Sequence, residues 1–313
     1  MKDSHKVCNS LTVLIGKVAG SIRPLPAIAF FAIPGAAQAV TVINDGFETN
    51  THPTGFRSVA QAPGVPFIQP NPAGTGTASI AVDDNMGNPA GNKALAVVST
   101  STTASHILTS TLGGTVSLNA VGDSLTLSFK IRATNTPSAS AAGFRFGIYG
   151  TNGTTALTEG SGLAASSDDS GYYSTIGVGF SPPAAGSVLF YESGTLDPIL
   201  AGTDRTPITA SAAGFSINDT LVHTVSLSIT LATSTTMALS LSFDGGPAIT
   251  GTTTSLKTTF DEIAISNGFQ EIPTTYNIDD LMLTASNFTP VPEPSIACLW
   301  SLAPLAWLAR RRR

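Results

Sequence analysis

The chain has 313 residues, of which 42% are hydrophobic and only 11% charged, with 15 Lys and Arg against 20 Asp and Glu. That apolar share builds a real core at this length, but an ordinary soluble domain carries about 25% charged residues, so the solvated surface here must come from Ser and Thr hydroxyls. Between residues 40 and 290, seven Lys and Arg face eighteen Asp and Glu, a formal charge of −11, which excludes a nucleic-acid binder or a protein that seeks an anionic membrane surface.

The first segment carries Lys2, Lys6, Lys17 and Arg23 ahead of an apolar run, Pro24 to Ala37, and the small-x-small triplet Ala37-Gln38-Ala39. A basic leader, an apolar stretch and such a triplet read as a secretory signal peptide over residues 1–39, cleaved before Val40. The competing reading is an uncleaved anchor, supported by a second apolar patch at Leu11 to Gly16; Pro24, Pro26 and Pro34 would interrupt a helix meant to stay in the bilayer. Export usually invites disulfides, yet the only cysteines are Cys8 and Cys298, so the domain between them must be held by its core, with a metal as the other available device.

From Val40 onward no stretch keeps a helical period. LTLSFKI places Leu125, Leu127, Phe129 and Ile131 on one face and Thr126, Ser128 and Lys130 on the other, the period of two of a strand with one wet face. Phe144, Phe146 and Ile148 repeat the device, as do Val225, Leu227, Ile229 and Leu231, then Met237, Leu239, Leu241 and Phe243. Ala232 to Thr236 suits a hairpin loop, Asp244-Gly245-Gly246 a turn, and EIAIS and NIDDLMLT supply later strands. Ala62 to Ser79 and Thr134 to Gly143, rich in Gly, Pro, Ala and Ser, read as long surface loops. Many strands without helices predict one all-β domain over residues 40–289, a two-sheet jelly-roll sandwich.

The chain closes with Val291-Pro292-Glu293-Pro294, an uncharged stretch from Ser295 to Ala309, and Arg310, Arg311, Arg312 and Arg313. As a helix, Ser295 to Ala309 would rise about 22 Å, short of the roughly 30 Å hydrocarbon layer. Trp300 and Trp307 suit interfaces, the arginines snorkel to headgroups, and an Arg cluster is held on the cytoplasmic side; Pro292 and Pro294 make the joint extended. This order and spacing resembles the PEP-CTERM sorting signal of Gram-negative bacteria. The resemblance covers residues 290–313 and implies recognition by an exosortase, a transient hold in the inner membrane, processing near the Pro-Glu-Pro joint, and delivery to the cell surface or the extracellular matrix of a biofilm. The plain alternative is a tail anchor with an incidental Pro-Glu-Pro linker, which would make the body a permanently anchored receptor ectodomain.

A second resemblance lies at the two ends of the central domain. Asn44-Asp45-Gly46-Phe47-Glu48 and Tyr276-Asn277-Ile278-Asp279-Asp280-Leu281 are similar to the first and last strands of carbohydrate-binding jelly rolls, where an early Phe-Glu and a late Ile-Asp meet at a structural calcium ion. This implies Glu48 and Asp279 as candidate calcium ligands; the alternative is solvent-exposed carboxylates at strand ends, and Asp45 and Asp280 are equally open to a reading as turn and edge residues. The middle, with GDSLTLSFKIRA and GFRFGIYGTNG, resembles concanavalin-type lectins and glucanases. Both resemblances imply extracellular polysaccharide as a partner.

Laminarinase-like members of the concanavalin-type group carry Glu-x-Asp-x-x-Glu on one strand, which sets nucleophile and general acid on one face, and this chain lacks it. Asp261-Glu262 is the nearest approach, and adjacent acids in a regular strand point to opposite faces. His52, His106 and His223 form no metal-binding spacing, and His223 reads as a strand-end histidine satisfied by backbone. Asp83-Asp84-Asn85 and Asp168-Asp169 read as exposed turns, with loop calcium the alternative. Tyr172 and Tyr173 read either as a sugar-stacking platform or as neighbours split between core and surface. No catalytic residue is assigned. The sequence therefore predicts a non-catalytic structural or adhesive surface protein with glycan binding; the rival is a polysaccharide-degrading enzyme on a concanavalin-like scaffold.

Overall fold

The computed structural model describes residues 39–290 apart from 48–66, 69–75, 83–85, 87–92, 100–105, 138–139, 153–165, 180–181, 185, 195–198, 201–203, 209–211 and 269–273. In chain order its strands are β1 (Val40–Asp45), β2 (Phe67–Ile68), β3 (Gly76–Val82), β4 (Lys93–Ser99), β5 (His106–Ser117) and β6 (Ser124–Ala133). They continue with β7 (Ser140–Gly150), β8 (Ser170–Val178), β9 (Leu189–Glu192), β10 (Arg205–Ile208), β11 (Ser216–Ile217) and β12 (Val222–Thr233). The last five are β13 (Thr236–Phe243), β14 (Ile249–Thr253), β15 (Thr259–Asn267), β16 (Thr275–Ala285) and β17 (Phe288–Pro290).

The strands form two sheets, as the alternating pattern predicts. The eight-stranded sheet runs β14-β13-β12-β6-β16-β4-β3, with β1 also pairing β16. The nine-stranded sheet runs β10-β9-β8-β7-β15-β5-β17, with β11 on β8 and β2 on β5. Every pairing is antiparallel except β11 with β8. Strand β6 shows why: Leu125, Leu127, Phe129, Ile131 and Ala133 are buried while Ser124, Thr126, Ser128, Lys130 and Arg132 are half-exposed, so one face is removed from water and the other stays solvated. Apolar faces of the two sheets share one core. Phe129 of the eight-stranded sheet meets Phe146 of the nine-stranded sheet edge-on at 5.0 Å, and Phe144 packs on Tyr276 at 5.5 Å, arrangements that suit the ring quadrupoles.

Three loop expectations give way to strands. The β12–β13 hairpin closes on Ser234-Thr235 rather than on the five residues from Ala232 to Thr236, with a register shift between Leu231 and Thr233. The stretch Ala62 to Ser79 contains β2 and the start of β3, which pairs with β4 through Val82. Ser140 to Gly143, read as loop, opens β7, and a register shift between Ser140 and Phe144 absorbs the glycine at φ 63°. In each case tertiary pairing overrides weak local propensity.

Candidate functional site

Of the calcium pair, Glu48 lies outside the described residues, as do Val291, Pro292, Glu293, Pro294 and the four terminal arginines. Asp279 is fully buried in β16, where its Oδ1 accepts the Asp280 N–H at 2.7 Å. Asp45, read as a turn or edge residue, is also fully buried and accepts the Phe47 N–H at 2.8 Å, which holds Phe47 at φ 56°. It stands opposite Leu281, two positions along β16 from Asp279. The structure thus brings buried carboxyls from the first strand and the last long one to a single ladder. Asp280, by contrast, is exposed at φ 49° within a break in register and pairs with Lys130 at 2.7 Å.

That break opens onto the outer face of the eight-stranded sheet. Directly paired residues share a face, so the register aligns Ser242, Ser226, Ser128 and Met282 in one row across β13, β12, β6 and β16. The next row is Thr250, Ser240, Ser228, Thr126, Thr284 and Thr41 across six strands. Thr126 and Ser228 hydrogen-bond to each other at 2.8 Å. A shallow cavity of about 380 Å³ lies on this face, bordered by Ser128, Ser226, Ser242, Thr224 and Met282, with the Lys130–Asp280 pair at its rim. At one end Asp244 accepts the Thr224 N–H at 2.7 Å and faces His223 Nδ1 at 2.8 Å, while Asp219 faces Nε2 at 3.0 Å. His223 is therefore held by two carboxylates and stacked on Phe243 at 4.8 Å, rather than satisfied by backbone.

The outer face of the nine-stranded sheet is different. Register aligns Arg205, Glu192, Gly171, Tyr149, Glu262 and Thr111 across β10, β9, β8, β7, β15 and β5. Ile107, Tyr149, Tyr173, Phe190, Ile199, Leu200 and Ala264 form a second apolar cluster here. Two acids are trapped with it. Glu192, fully buried, accepts the Tyr149 hydroxyl at 2.7 Å and the Leu200 N–H at 3.1 Å, and burial pushes it up to about 7. Arg145 donates to the Leu200 carbonyl at 2.7 Å and Arg205 lies over the Phe190 ring.

Glu262 corrects the sequence reading of its strand. Phe260, Ile263 and Ile265 all enter the main core, so Asp261 and Glu262 together occupy the interval between two core positions, and the ladder to β5 shifts register between Phe260 and Glu262. The extra residues lie on β5, where Leu112 to Thr115 face Asp261 alone; with this bulge opposite, both acids fall on the outer side, where a regular alternation would separate them. Asp261 accepts the Thr151 N–H and hydroxyl, each at 2.9 Å. Glu262 is 1% exposed and neither of its oxygens has a hydrogen-bond partner; Thr109 and Asp169 lie beside it without reaching bonding geometry. Burial first, then Asp169, pushes Glu262 up to about 8. Asp169, expected in an exposed turn, is 2% exposed, and burial followed by the charges of Asp168 and Asp261 pushes it up to about 7. Gly194, at φ 65°, lies so close to Asp168 and Asp169 that a Cβ there would come within 2.4 and 2.5 Å of their carbonyl oxygens.

Tyr172 and Tyr173 are both fully buried, one in each apolar cluster, so they form no sugar-stacking platform and neither reaches the surface. The exposed large apolar side chains among the described residues are Val40, Val121, Leu221, Leu256 and Met282, with no aromatic ring among them. His106 is buried at the start of β5 and burial lowers it to about 4, keeping the ring neutral. No group of three or more His, Cys, Asp or Glu with metal-binding geometry occurs among the described residues, nor any helix long and apolar enough to cross a membrane.

No protein-family model matches the chain, and no curated protein does. Solved structures do resemble it. One is the lectin UEA-II complexed with galactose, 14% identical, covering 71% of this chain and 92% of its own, with a TM-score of 0.41. A carbohydrate esterase of the Shiga toxin-encoding bacteriophage phi24B, 12% identical, covers 80% of this chain and all of its own at 0.43. The Emp47p carbohydrate recognition domain, 11% identical, covers 80% and 98% at 0.41. Superposition of this extent is a likeness only, and the two-sheet architecture rests on the strand pairing itself.

Proposed function

We propose that the protein is an exported surface or matrix component, sorted by an exosortase through Val291 to Pro294 and the terminal arginines, whose jelly-roll domain binds neutral glycan without catalysis. The observation that carries the glycan reading is the shallow cavity on a hydroxyl-covered sheet face, where ranked Ser and Thr side chains present donors and acceptors beside the exposed Met282. Neutral glycan follows from charge, since the domain's −11 repels polyanions and the one ion pair at the rim is internally balanced. With no aromatic ring among the exposed large side chains of the described residues, the binding is weak per site and gains from repetition on a polymer. Glu48 and Asp279 belong to this reading as ligands of a structural calcium ion at the strand ends.

A second reading, a polysaccharide-degrading enzyme, takes support from the bulge that puts Asp261 and Glu262 on one side. Burial of Glu262 and Glu192 weighs against it, because a general acid must reach its substrate.

The test is a glycan array probed with the exported protein and its Ser226→Trp variant, with reducing-end release measured in parallel and intact mass recorded. Binding to neutral glycans that the tryptophan abolishes, no release, and loss of the Arg-rich tail are expected. Binding unchanged in Ser226→Trp, or none to any glycan, overturns the site; sustained release overturns the non-catalytic reading; a retained tail in mature protein overturns the sorting.

A further inference from the structure

The outer face of the nine-stranded sheet holds a group that the glycan reading does not use. Asp168, Asp261 and Glu262 stand within electrostatic reach of Asp169, and the cation beside it is Lys257, whose ammonium bonds Asn152 and the Gly150 carbonyl. Arg145 and Arg205 serve Glu192, Tyr173 and the Leu200 carbonyl on the far side of Tyr149. A buried acid normally finds a donor, yet both Glu262 oxygens, Asp169 Oδ1 and the Thr109 hydroxyl, all on residues no more than 2% exposed, find none.

We propose that Glu262, Asp169 and Thr109, with Asp261 and Asp168 at the rim, bind a hard divalent cation of the calcium type. Four features meet what such an ion needs: oxygen donors only, unused lone pairs, excess negative charge, and exclusion of bulk water. The core donor set is two carboxyls and a hydroxyl, not a cage of three or more acids. The remaining positions therefore go to carbonyls and water, and affinity falls in the range of extracellular modules, Kd about 10⁻⁴ to 10⁻³ M. A carboxyl holds the ion only when ionised, so any proton on Glu262 or Asp169 leaves to solvent on binding and affinity rises with pH. The ion would tie β15, at its register break with β5, to the residues that lead into β8. This proposal stands apart from the glycan face, and failure of glycan binding leaves it untouched.

The experiment uses the full chain stripped with EDTA. Thermal melts are followed at pH 6, 7 and 8.5 with calcium, magnesium or potassium chloride at roughly 10 mM, and terbium is titrated with excitation of tyrosine, since Tyr149 pairs in register with Glu262. Calcium should raise Tm by about 5 °C, more at pH 8.5 than at pH 6, and sensitised terbium emission should be displaced by calcium. In an Asp279→Asn background, which removes the other calcium ligand proposed above, Glu262→Gln and Asp169→Asn should lose both responses. Because Glu262→Gln also removes a buried charge, its melt in EDTA at pH 8.5 should be no lower than wild type, which shows that it folds. Absence of any response in wild type, a response lost wholly with Asp279→Asn alone, or one retained when Glu262→Gln is added to Asp279→Asn overturns the site.

Discussion

Replacing Glu262 by Gln in metal-free protein should turn a pH-dependent stability into a flatter one. An acid whose folded pKa lies above its unfolded value contributes its full share below the unfolded value and loses it as pH rises to the folded value. For Glu262 the window runs from 4.5 to about 8. Each unit corresponds to about 1.4 kcal/mol, so wild-type protein should lose about 5 kcal/mol across that window from this one group. The amide is isosteric, carries no charge and can donate to Asp169, so the variant should match wild type near pH 4.5 and exceed it increasingly toward pH 8. At a few degrees per kcal/mol for a domain of this size, the gap should reach about 10 °C in Tm. Urea unfolding at pH 4.5, 6, 7 and 8.5 in EDTA measures it directly. Parallel stability curves for the two proteins would refute the reasoning, because they would mean that Glu262 ionises as freely in the fold as in the unfolded chain.

Other expectations concern the frame. Phe146→Ala removes a ring buried in the core against Phe129 and should cost about 3–5 kcal/mol in denaturant unfolding. In Gly171→Ala the new Cβ would stand 2.2 Å from the Ile148 carbonyl oxygen; backbone cannot yield as a side chain does, so a loss of about 3 kcal/mol is expected, and a melt within a degree of wild type would contradict it. Asp244→Ala strips partners from the Thr224 N–H and from His223 and should cost about 1–2 kcal/mol, visible in thermal melts. Lys130→Ala opens a surface ion pair and should change stability by less than about 1 kcal/mol while weakening retention on the glycan bound by wild type.

Much of the sandwich was legible because its strands bury one face each. LTLSFKI and MALSLSF declare their inward residues by alternation alone, and the structure buries Leu125, Leu127, Phe129 and Ile131, then Met237, Leu239 and Leu241, accordingly. Sheet order was not legible, since β6, which ends at Ala133, lies between β12 and β16, strands that begin only at Val222 and Thr275. The acid group was missed for a narrower reason. Reading Asp261 and Glu262 as opposed assumed an unbroken period of two, whereas FDEIAI spaces its core residues three and then two apart; that irregular interval is the trace of the bulge. Burial of Asp169 and Glu192 had no such trace, because it depends on the second apolar cluster around Ile199 and Leu200, which no local pattern announces.

The two ends of the body are fastened to different sheets, and this gives the domain a mechanical order of failure. Traction on the chain beyond Pro290 first meets β17, three residues zipped to β5 alone, a contact that peels one bond at a time. Behind it the Ser286 N–H and hydroxyl clasp the Ser124 carbonyl, and then the load reaches β16, eleven residues gripped by β6 on one side and by β4 and β1 on the other. There the bonds must shear together. The short last strand acts as a fuse: it yields while the hydroxyl face and the buried acids stay in register.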